Sequence, residues 1–173
     1  MTITPDDKDW TWVLEARCEE CGFNASTVRC TDVAQALRLA VFDWGRVLIS
    51  GADVRVRPKP DVWSPLEYGC HVRDVFRVYD GRVRRMLAED GPHYENWDQD
   101  ATAIADDYGS QDPETVAGDL ASAGAHLADL FDSVEGAQWE RTGYRSDGAA
   151  FTIDTISRYF IHDIVHHVWD VQA

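Results

Sequence analysis

Residues 151–171 contain two pairs of side chains that commonly bind metal ions, each pair at a four-residue spacing. Asp163 precedes His167, and His162 precedes His166. In an α-helix this spacing places two side chains about 40° apart on one face. Either pair could therefore supply two ligands to one divalent cation.

The apolar residues of this stretch favour the first pair as the inward one. At about 100° per residue they form one arc of a helix, which contains Ile153, Ile156, Phe160, Ile161, Ile164 and Val168. His167 lies at the edge of that arc with Asp163 beside it, whereas His162 and His166 are expected on a solvated face. A second interpretation needs no metal, because histidines near the C-terminal end of a helix also interact favourably with its dipole.

A third candidate ligand, His71, lies early in another predicted helix. The sequence Ser64-Pro-Leu-Glu67 combines a capping serine, a proline at the first helical position and a glutamate three residues after the cap, which is typical of a helix start. The helix is predicted to continue to about Glu89, with a buried stripe of Tyr68, Val72, Val75, Phe76, Tyr79, Val83 and Met86. His71 lies on the flank of this stripe, as a metal ligand or as an ordinary hydrogen-bonded core histidine.

Two further helices complete the predicted architecture, at residues 31–50 and 112–133. Thr31 or Asp32 is expected to cap the first, and Asp112 followed by proline begins the second. Together with the two helices already described, they predict an all-α four-helix bundle with long connections.

We expect one domain over residues 1–173, made of a short irregular or hairpin N-terminal arm at residues 1–30 and the bundle at residues 31–171. A chain of 173 residues can bury about 70% of the surface of its unfolded form. Neither a metal nor a disulfide is therefore required merely for folding.

Four cysteines offer a separate metal hypothesis. Cys18-Glu-Glu-Cys21 is similar to one knuckle of a zinc ribbon, but structural zinc requires four ligands, so Cys30 and Cys70 would have to complete the set at irregular spacing. A redox function for the Cys-x-x-Cys pair lacks the strand-to-helix context of a thioredoxin-like unit. The favoured interpretation is an arm without metal, packed by Trp10, Trp12, Val13 and Leu14.

Residues 90–111 are rich in acids, contain Gly and Pro, and show no sustained apolar period, so they predict a long loop with a short helical turn near residues 101–108. Long loops often border functional sites. His93, Tyr94 and Trp97 could then line the mouth of a pocket. The alternative is an acidic solvated loop whose aromatic side chains are packed against the core.

The charge balance excludes two classes of partner. The chain has 31 acidic and 16 basic residues, for a formal net charge of −15. Such a surface repels phosphate backbones and anionic membranes, so we expect no nucleic-acid binding and no membrane association. The first residues show no signal segment, and we expect a cytoplasmic protein with mostly reduced cysteines.

The order of these candidate ligands resembles the DinB/YfiT-like superfamily of metalloenzymes. His71 follows Trp63-Ser-Pro-Leu-Glu-Tyr-Gly-Cys, and the chain ends on Asp163 followed by His167-Val-Trp-Asp170. These motifs look most like the actinobacterial branch, which includes mycothiol-dependent maleylpyruvate isomerases and related thiol S-transferases. The resemblance covers residues 31–171.

The resemblance implies a DinB-like bundle with a metal site made of His71, Asp163 and His167. The metal is expected to be zinc, with nickel or iron as alternatives. A thiol such as mycothiol would then attack a small-molecule electrophile, in S-transfer or isomerisation, near a loop containing Tyr94, Trp97 and Arg141. The resemblance assigns no catalytic side chain and no thiol-binding residue.

Three questions stay open from the sequence. His162 and His166 could replace Asp163 and His167 and form a three-histidine site with His71. The chain could also be a non-catalytic DinB-like module that binds a small molecule or a protein partner. A homodimer is compatible with the sequence, which does not test the oligomeric state.

Overall fold

The structure of the protein, a computed structural model, describes Ile3 and residues 9–51 and 53–172. Its helices are α1 (Val33–Leu48), α2 (Pro65–Ala88), α3 (Gln99–Ala105), α4 (Pro113–Asp132) and α5 (Ile153–Gln172). Helices α1, α2, α4 and α5 pack around a common apolar core. The predicted all-α four-helix bundle is confirmed. Within the described residues, no helix combines the length and apolar character needed to cross a membrane.

Short single-turn 3₁₀ helices occupy the arm and the connections. They lie at Thr11–Leu14, Ala25–Thr27, Cys30–Asp32, Tyr108–Ser110 and Gly136–Glu140. The arm is irregular, with Val13 buried and Trp12 41% exposed. It lies against α5, so it covers a face of that helix that the sequence predicts to be solvated.

A small three-stranded sheet closes one side of the bundle and was not predicted. Strand β1 (His93–Tyr94) is parallel to β2 (Thr142–Arg145), which is antiparallel to β3 (Ala150–Thr152). Strands of two to four residues are too short to show a period of two in the sequence. The sheet fixes the loop before α3 to the segment that leads into α5.

Side-chain caps, two of them predicted from the sequence, explain where three of the long helices begin. The Ser64 hydroxyl accepts a hydrogen bond from the Glu67 amide at 3.2 Å, and the Glu67 carboxylate accepts one from the Ser64 amide at 2.8 Å. Asp112 accepts from the Thr115 amide at 2.9 Å, and the Thr152 hydroxyl accepts from the Thr155 amide at 3.1 Å. The cap predicted for α1 differs, since no side chain makes a capping hydrogen bond there.

Aromatic side chains hold α5 in the bundle. Phe160 of α5 packs against Phe76 and Phe131, with ring centroids 5.9 and 6.0 Å apart. The buried indole of Trp44 in α1 donates to the Ile164 carbonyl at 3.1 Å. These contacts fix the rotation of α5 immediately beside Asp163, and therefore fix which face presents each of its polar side chains.

Gly124 permits the close approach of α4 to its neighbours. A methyl group added at this position would overlap the Val41 side chain and lie 3.0 Å from Phe76. Gly118 lies in the same helix, but a methyl group there would meet nothing within 4 Å. The two glycines therefore differ in packing while sharing a helical backbone.

We expect Gly124→Ala to lower the free energy of unfolding by about 1–3 kcal/mol, because it overpacks the contact between α4, α1 and α2. Gly118→Ala should instead raise it by about 0.5–1 kcal/mol, since alanine loses less backbone entropy on folding. Urea titrations of both variants and of the wild type measure the difference. Equal effects of the two substitutions would contradict this packing.

Glu67 links the start of α2 to the preceding connection. Its buried carboxylate pairs with Arg57 while also completing the cap with Ser64. Burial alone raises the pKa of Glu67, but the hydrogen bonds from Arg57 and Ser64 outweigh this effect, so the pKa lies below its ordinary value of 4.5. A lowered pKa in the folded state means that this carboxylate stabilises the fold above pH 4.5 and that the stabilisation is lost as the pH falls.

We expect Glu67→Gln to lower the free energy of unfolding at pH 7 by about 1–3 kcal/mol, through loss of the charged partner of Arg57. The difference from the wild type should shrink as the pH falls below 4.5, because the wild-type carboxylate then becomes protonated. Chemical unfolding at several pH values measures this, with the exposed Glu140→Gln as control. A difference that does not change with pH would contradict the assignment.

Candidate metal centre

His71, Asp163 and His167 lie together at one end of the bundle interior. One ligand atom of each lies within 4.8 Å of the others. The Asp163 carboxylate lies between the histidines, with Oδ2 3.8 Å from His71 Nε2 and Oδ1 3.6 Å from His167 Nε2. Helices α2 and α5 thus bring together the three side chains that the sequence and the resemblance favour.

His71 is buried in an aromatic setting. It is 1% exposed, and neither of its ring nitrogens has a hydrogen-bond partner among the described residues. The Trp97 ring stacks on it at 5.4 Å, and the Trp63 ring lies 5.2 Å away. Burial lowers the pKa of His71, which keeps the imidazole neutral. A neutral imidazole is the form that binds metal ions.

His167 is oriented by a second carboxylate. Its Nδ1 lies 2.8 Å from Asp170 Oδ2, one turn later in α5. When Nδ1 donates its proton to this carboxylate, the lone pair of Nε2 is directed toward Asp163 and His71. This carboxylate–histidine pair is the arrangement that commonly orients histidine ligands. Asp170 was given no role from the sequence, although the His-x-x-Asp spacing in a helix is a signal that could have identified it.

The Asp163 carboxyl remains ionised across the pH range in which most proteins are folded. Burial acts to raise the pKa of this carboxyl, but His167, His71 and His162 together outweigh burial and lower the pKa to about 2. Its side chain is 35% exposed, which leaves the carboxylate accessible from the adjoining cleft. The three side chains thus offer one anionic oxygen and two imidazole nitrogens as candidate ligands.

The expectation of a solvated face for His162 and His166 is wrong. His162 is 3% exposed and His166 is 7% exposed. The arm covers them, since the Trp10 ring lies 5.4 Å from His162 and 5.0 Å from His166. The helical wheel of α5 could not reveal this, because the covering residues lie at the opposite end of the chain.

These two histidines do not join His71. Their neighbours are Cys18 and Cys21, and one ligand atom of each of the four lies within 4.8 Å of the others. Among the described residues, Cys30 and Cys70 do not join the cysteine pair, as a site made of the four cysteines would require. Cys70 is buried in α2 with its Sγ 3.8 Å from the Tyr108 carbonyl oxygen.

A cleft of about 1070 Å³ opens beside Asp163 and His167. Trp63, Tyr68 and Trp97 form an aromatic part of its lining. Arg145 and Tyr159 lie on another part. Carboxylates outnumber cationic side chains among the described lining residues, and they are Asp9, Glu20, Asp61, Asp98, Asp100, Asp147, Asp163 and Asp170.

The residues predicted at the pocket mouth have different positions. Trp97 lines the cleft, whereas Tyr94 is buried with the Arg82 guanidinium 4.8 Å above its ring. His93 is exposed and stacks on Tyr144. Arg141 does not line the cleft, because its guanidinium donates to the Met86 and Glu89 carbonyl oxygens at the end of α2.

Arg145 is a cleft residue that the sequence analysis missed. It pairs with Asp147 at 2.6 Å, next to the turn between β2 and β3. Its position depends on that hairpin, which leaves no periodic signal in the sequence. A basic residue in a short turn-rich segment has many possible positions, and only the sheet register directs this one toward the cleft.

Comparison with known families identifies the family of this chain. A family model described as the DinB superfamily matches residues 32–171. The chain belongs to the DinB superfamily. The match includes all four long helices and the three side chains of the cluster, whereas the arm that covers His162 and His166 lies outside it.

The DinB fold is shared with a solved structure of low sequence identity. YfiT from Bacillus subtilis matches with a TM-score of 0.73 and 15% identity, over 83% of this chain and 85% of the YfiT chain. That protein is described as a probable metal-dependent hydrolase with an unusual four-helix bundle topology. At 15% identity, this similarity supports a shared fold and says nothing about a shared activity. A search of curated proteins found no significant match.

We expect His167→Ala to weaken zinc binding at the cluster of His71, Asp163 and His167 by at least about 100-fold. Loss of a residue that merely hydrogen-bonds to a metal ligand already costs about 10–100-fold in affinity. Competition with a chromophoric zinc chelator measures the affinity. The exposed His126→Ala variant is the matched control and should bind as the wild type does. Unchanged binding by His167→Ala would remove this residue from the ligand set.

Proposed function

We propose that the protein is a divalent-metal-dependent enzyme that uses a low-molecular-weight thiol of the mycothiol type for S-transfer or isomerisation. One observation carries the metal requirement: His71 is buried with both ring nitrogens unpartnered among the described residues, facing a carboxylate and a second histidine. A buried polar group without a partner is costly, and a cation would satisfy it.

The three side chains fit a catalytic rather than a structural ion. Two imidazoles and one carboxylate are a donor set used by zinc, nickel and iron, and three protein ligands leave at least one position open. When bound, a divalent cation here lowers the pKa of a thiol or water at that position. Zinc is the first choice for this site.

The surrounding side chains prepare the site for a reactive thiolate. Trp63, Trp97 and Tyr68 surround the two histidines, with the Tyr68 ring 5.0 Å from His167. These rings exclude water from one side of the site, which strengthens its electrostatic interactions. Asp170 keeps the proton of His167 on Nδ1, so that the lone pair of Nε2 remains available to a metal ion.

The charge of the cleft supports an uncharged thiol. Carboxylates outnumber cations in the described lining, and Arg145 is already paired with Asp147. Glutathione and bacillithiol carry carboxylates that such a lining repels. Mycothiol is an uncharged sugar-linked thiol, and polar side chains of the lining such as Asn96 and Gln99 suit its hydroxyl groups. The same argument favours neutral electrophiles over dicarboxylates.

Two alternatives make different demands on the same cleft. A metal-dependent hydrolase, which is the probable activity in the description of YfiT, would use a water molecule in place of the thiol and would need no thiol for turnover. A non-catalytic DinB-like module would bind a small molecule or a protein partner, with no turnover under any condition. Thiol dependence therefore separates the three possibilities.

We expect zinc-loaded protein to conjugate mycothiol to a neutral electrophile such as a haloalkyl bimane at least about 100-fold faster than His71→Ala does, since that variant lacks a buried ligand. Rates with mycothiol, bacillithiol, glutathione and no thiol, each with neutral and dicarboxylate electrophiles, measure the preference. His126→Ala serves as the control with intact activity.

The other outcomes assign the alternatives. Hydrolysis of ester or amide substrates at equal rates with and without thiol would establish the hydrolase. The absence of any metal-dependent rate, from protein shown to hold its ion, would establish the binding module. A preference for glutathione or bacillithiol would contradict the argument from the charge of the cleft.

A further inference from the structure

A second cluster of metal-binding side chains joins the N-terminal arm to α5. One ligand atom each of Cys18, Cys21, His162 and His166 lies within 4.8 Å of the others. The Sγ atom of Cys18 lies 3.7 Å from Nδ1 of His166. Four ligands on tetrahedral zinc lie about 3.3–3.8 Å apart, given Zn–S and Zn–N bonds of about 2.3 and 2.0 Å.

The backbone from Cys18 to Phe23 forms a tight turn, here called the knuckle. The Gly22 amide donates to the Cys18 carbonyl oxygen at 3.0 Å, and the Cys18 amide donates to the Phe23 carbonyl oxygen at 2.8 Å. Gly22 has φ +77°, a conformation that glycine adopts without strain. This tight turn directs both thiols of the Cys-x-x-Cys segment toward the same point on α5.

His162 is prepared for a ligand that the protein itself does not provide. It is 3% exposed, and its Nε2 is buried without a hydrogen-bond partner among the described residues. The Phe23 ring lies 5.6 Å away and Trp10 covers another side. Leaving an imidazole nitrogen unpartnered in such an apolar setting is costly, and a cation would remove that cost.

His166 has the outer partners of a metal ligand. While its Nδ1 faces Cys18, its Nε2 lies 3.3 Å from Glu20 Oε2 and 3.7 Å from Asp170 Oδ1. An imidazole that donates one N–H to a carboxylate presents the lone pair of its other nitrogen to a metal. Glu20 belongs to the Cys18–Cys21 segment, so the knuckle supplies both a ligand and an outer partner.

We propose that Cys18, Cys21, His162 and His166 form a structural zinc site, distinct from the cluster of His71, Asp163 and His167. Two thiolates and two imidazoles are the donors of structural zinc, and four protein ligands close its tetrahedral shell. Such soft donors disfavour magnesium and calcium. Each thiol releases its proton to solvent as its bond to the metal forms, and no electron transfer is involved.

The site ties the arm to the helix that carries the other cluster. Trp10 packs on the rings of His162 and His166 and also lines the large cleft. Fixing Cys18 and Cys21 on α5 therefore fixes one wall of that cleft. The proposal concerns structure, and it does not depend on the thiol chemistry proposed for the cleft.

Metal counting on the full-length protein tests the proposal. After reconstitution with zinc under reducing conditions and removal of loose ions, we expect two zinc ions per wild-type chain. Cys21→Ser and His162→Ala should each hold one, as should His71→Ala, which leaves the Cys2His2 site intact. Cys30→Ser, a cysteine outside the cluster, should hold two.

Two further measurements identify the ligands directly. Cobalt in place of zinc should give thiolate-to-metal charge-transfer absorption in the wild type and in His71→Ala, and none in Cys21→Ser. In the wild type, zinc should protect Cys18 and Cys21 from alkylation by at least about 100-fold relative to the metal-free protein, while Cys30 reacts equally in both. Zinc should also raise the Tm of His71→Ala by about 5–10 °C, through binding to the folded state.

The zinc contents of these variants show which of the two proposed metal sites, if either, is absent. One zinc per wild-type chain, lost in His71→Ala and retained in Cys21→Ser, would overturn the structural site and leave the other intact. A Cys18–Cys21 disulfide found in protein purified under reducing conditions would also overturn it. If Cys21→Ser fails to fold, the alkylation pattern of the wild type decides, and equal reactivity with and without zinc rejects the proposal.

Discussion

The burial of His71 without a hydrogen-bond partner is the constraint on which the rest of the site depends. An unsatisfied buried polar group costs about 1–3 kcal/mol, and His71 presents two such nitrogens among the described residues. The capped start of α2 and the stacked Trp97 ring hold the imidazole in this position. The cation proposed for this site would bind one of these nitrogens and remove that part of the cost.

Helix α5 makes two clusters possible through its geometry alone. Positions 162 and 166 share one face, and positions 163 and 167 share a face about 100° further around the helix. The first face meets the arm and the second meets α2. The Trp44 hydrogen bond to the Ile164 carbonyl fixes the rotation of α5 about its own axis within the bundle. A change in that rotation would therefore displace both clusters together, although the chain segments that complete them are unrelated.

The sequence predicted the parts of the fold in which apolar residues recur with a helical period. The four long helices have sustained apolar periods and three of them have recognisable start signals, so their ends lie within about two residues of expectation. The short sheet and the position of Arg145 have no such signal. Burial of His162 and His166 was missed for a different reason: a helical wheel assumes that the polar face meets water, whereas Trp10 and Phe23 cover it here.

The chemical difference between the clusters explains how one helix can serve both. The cluster of His71, Asp163 and His167 offers three candidate ligands and adjoins a cleft, so an ion bound there would keep a position for a reacting molecule. The cluster with Cys18 and Cys21 offers four candidate ligands, three of them buried, so a tetrahedral ion bound there would have no position for a substrate. Thiolate donors also reduce the Lewis acidity of an ion, whereas the harder carboxylate–imidazole set preserves it. Exchange of the two donor sets would therefore place the weaker electrophile beside the cleft, whereas the observed distribution is the one that the catalysis proposed for the cleft requires.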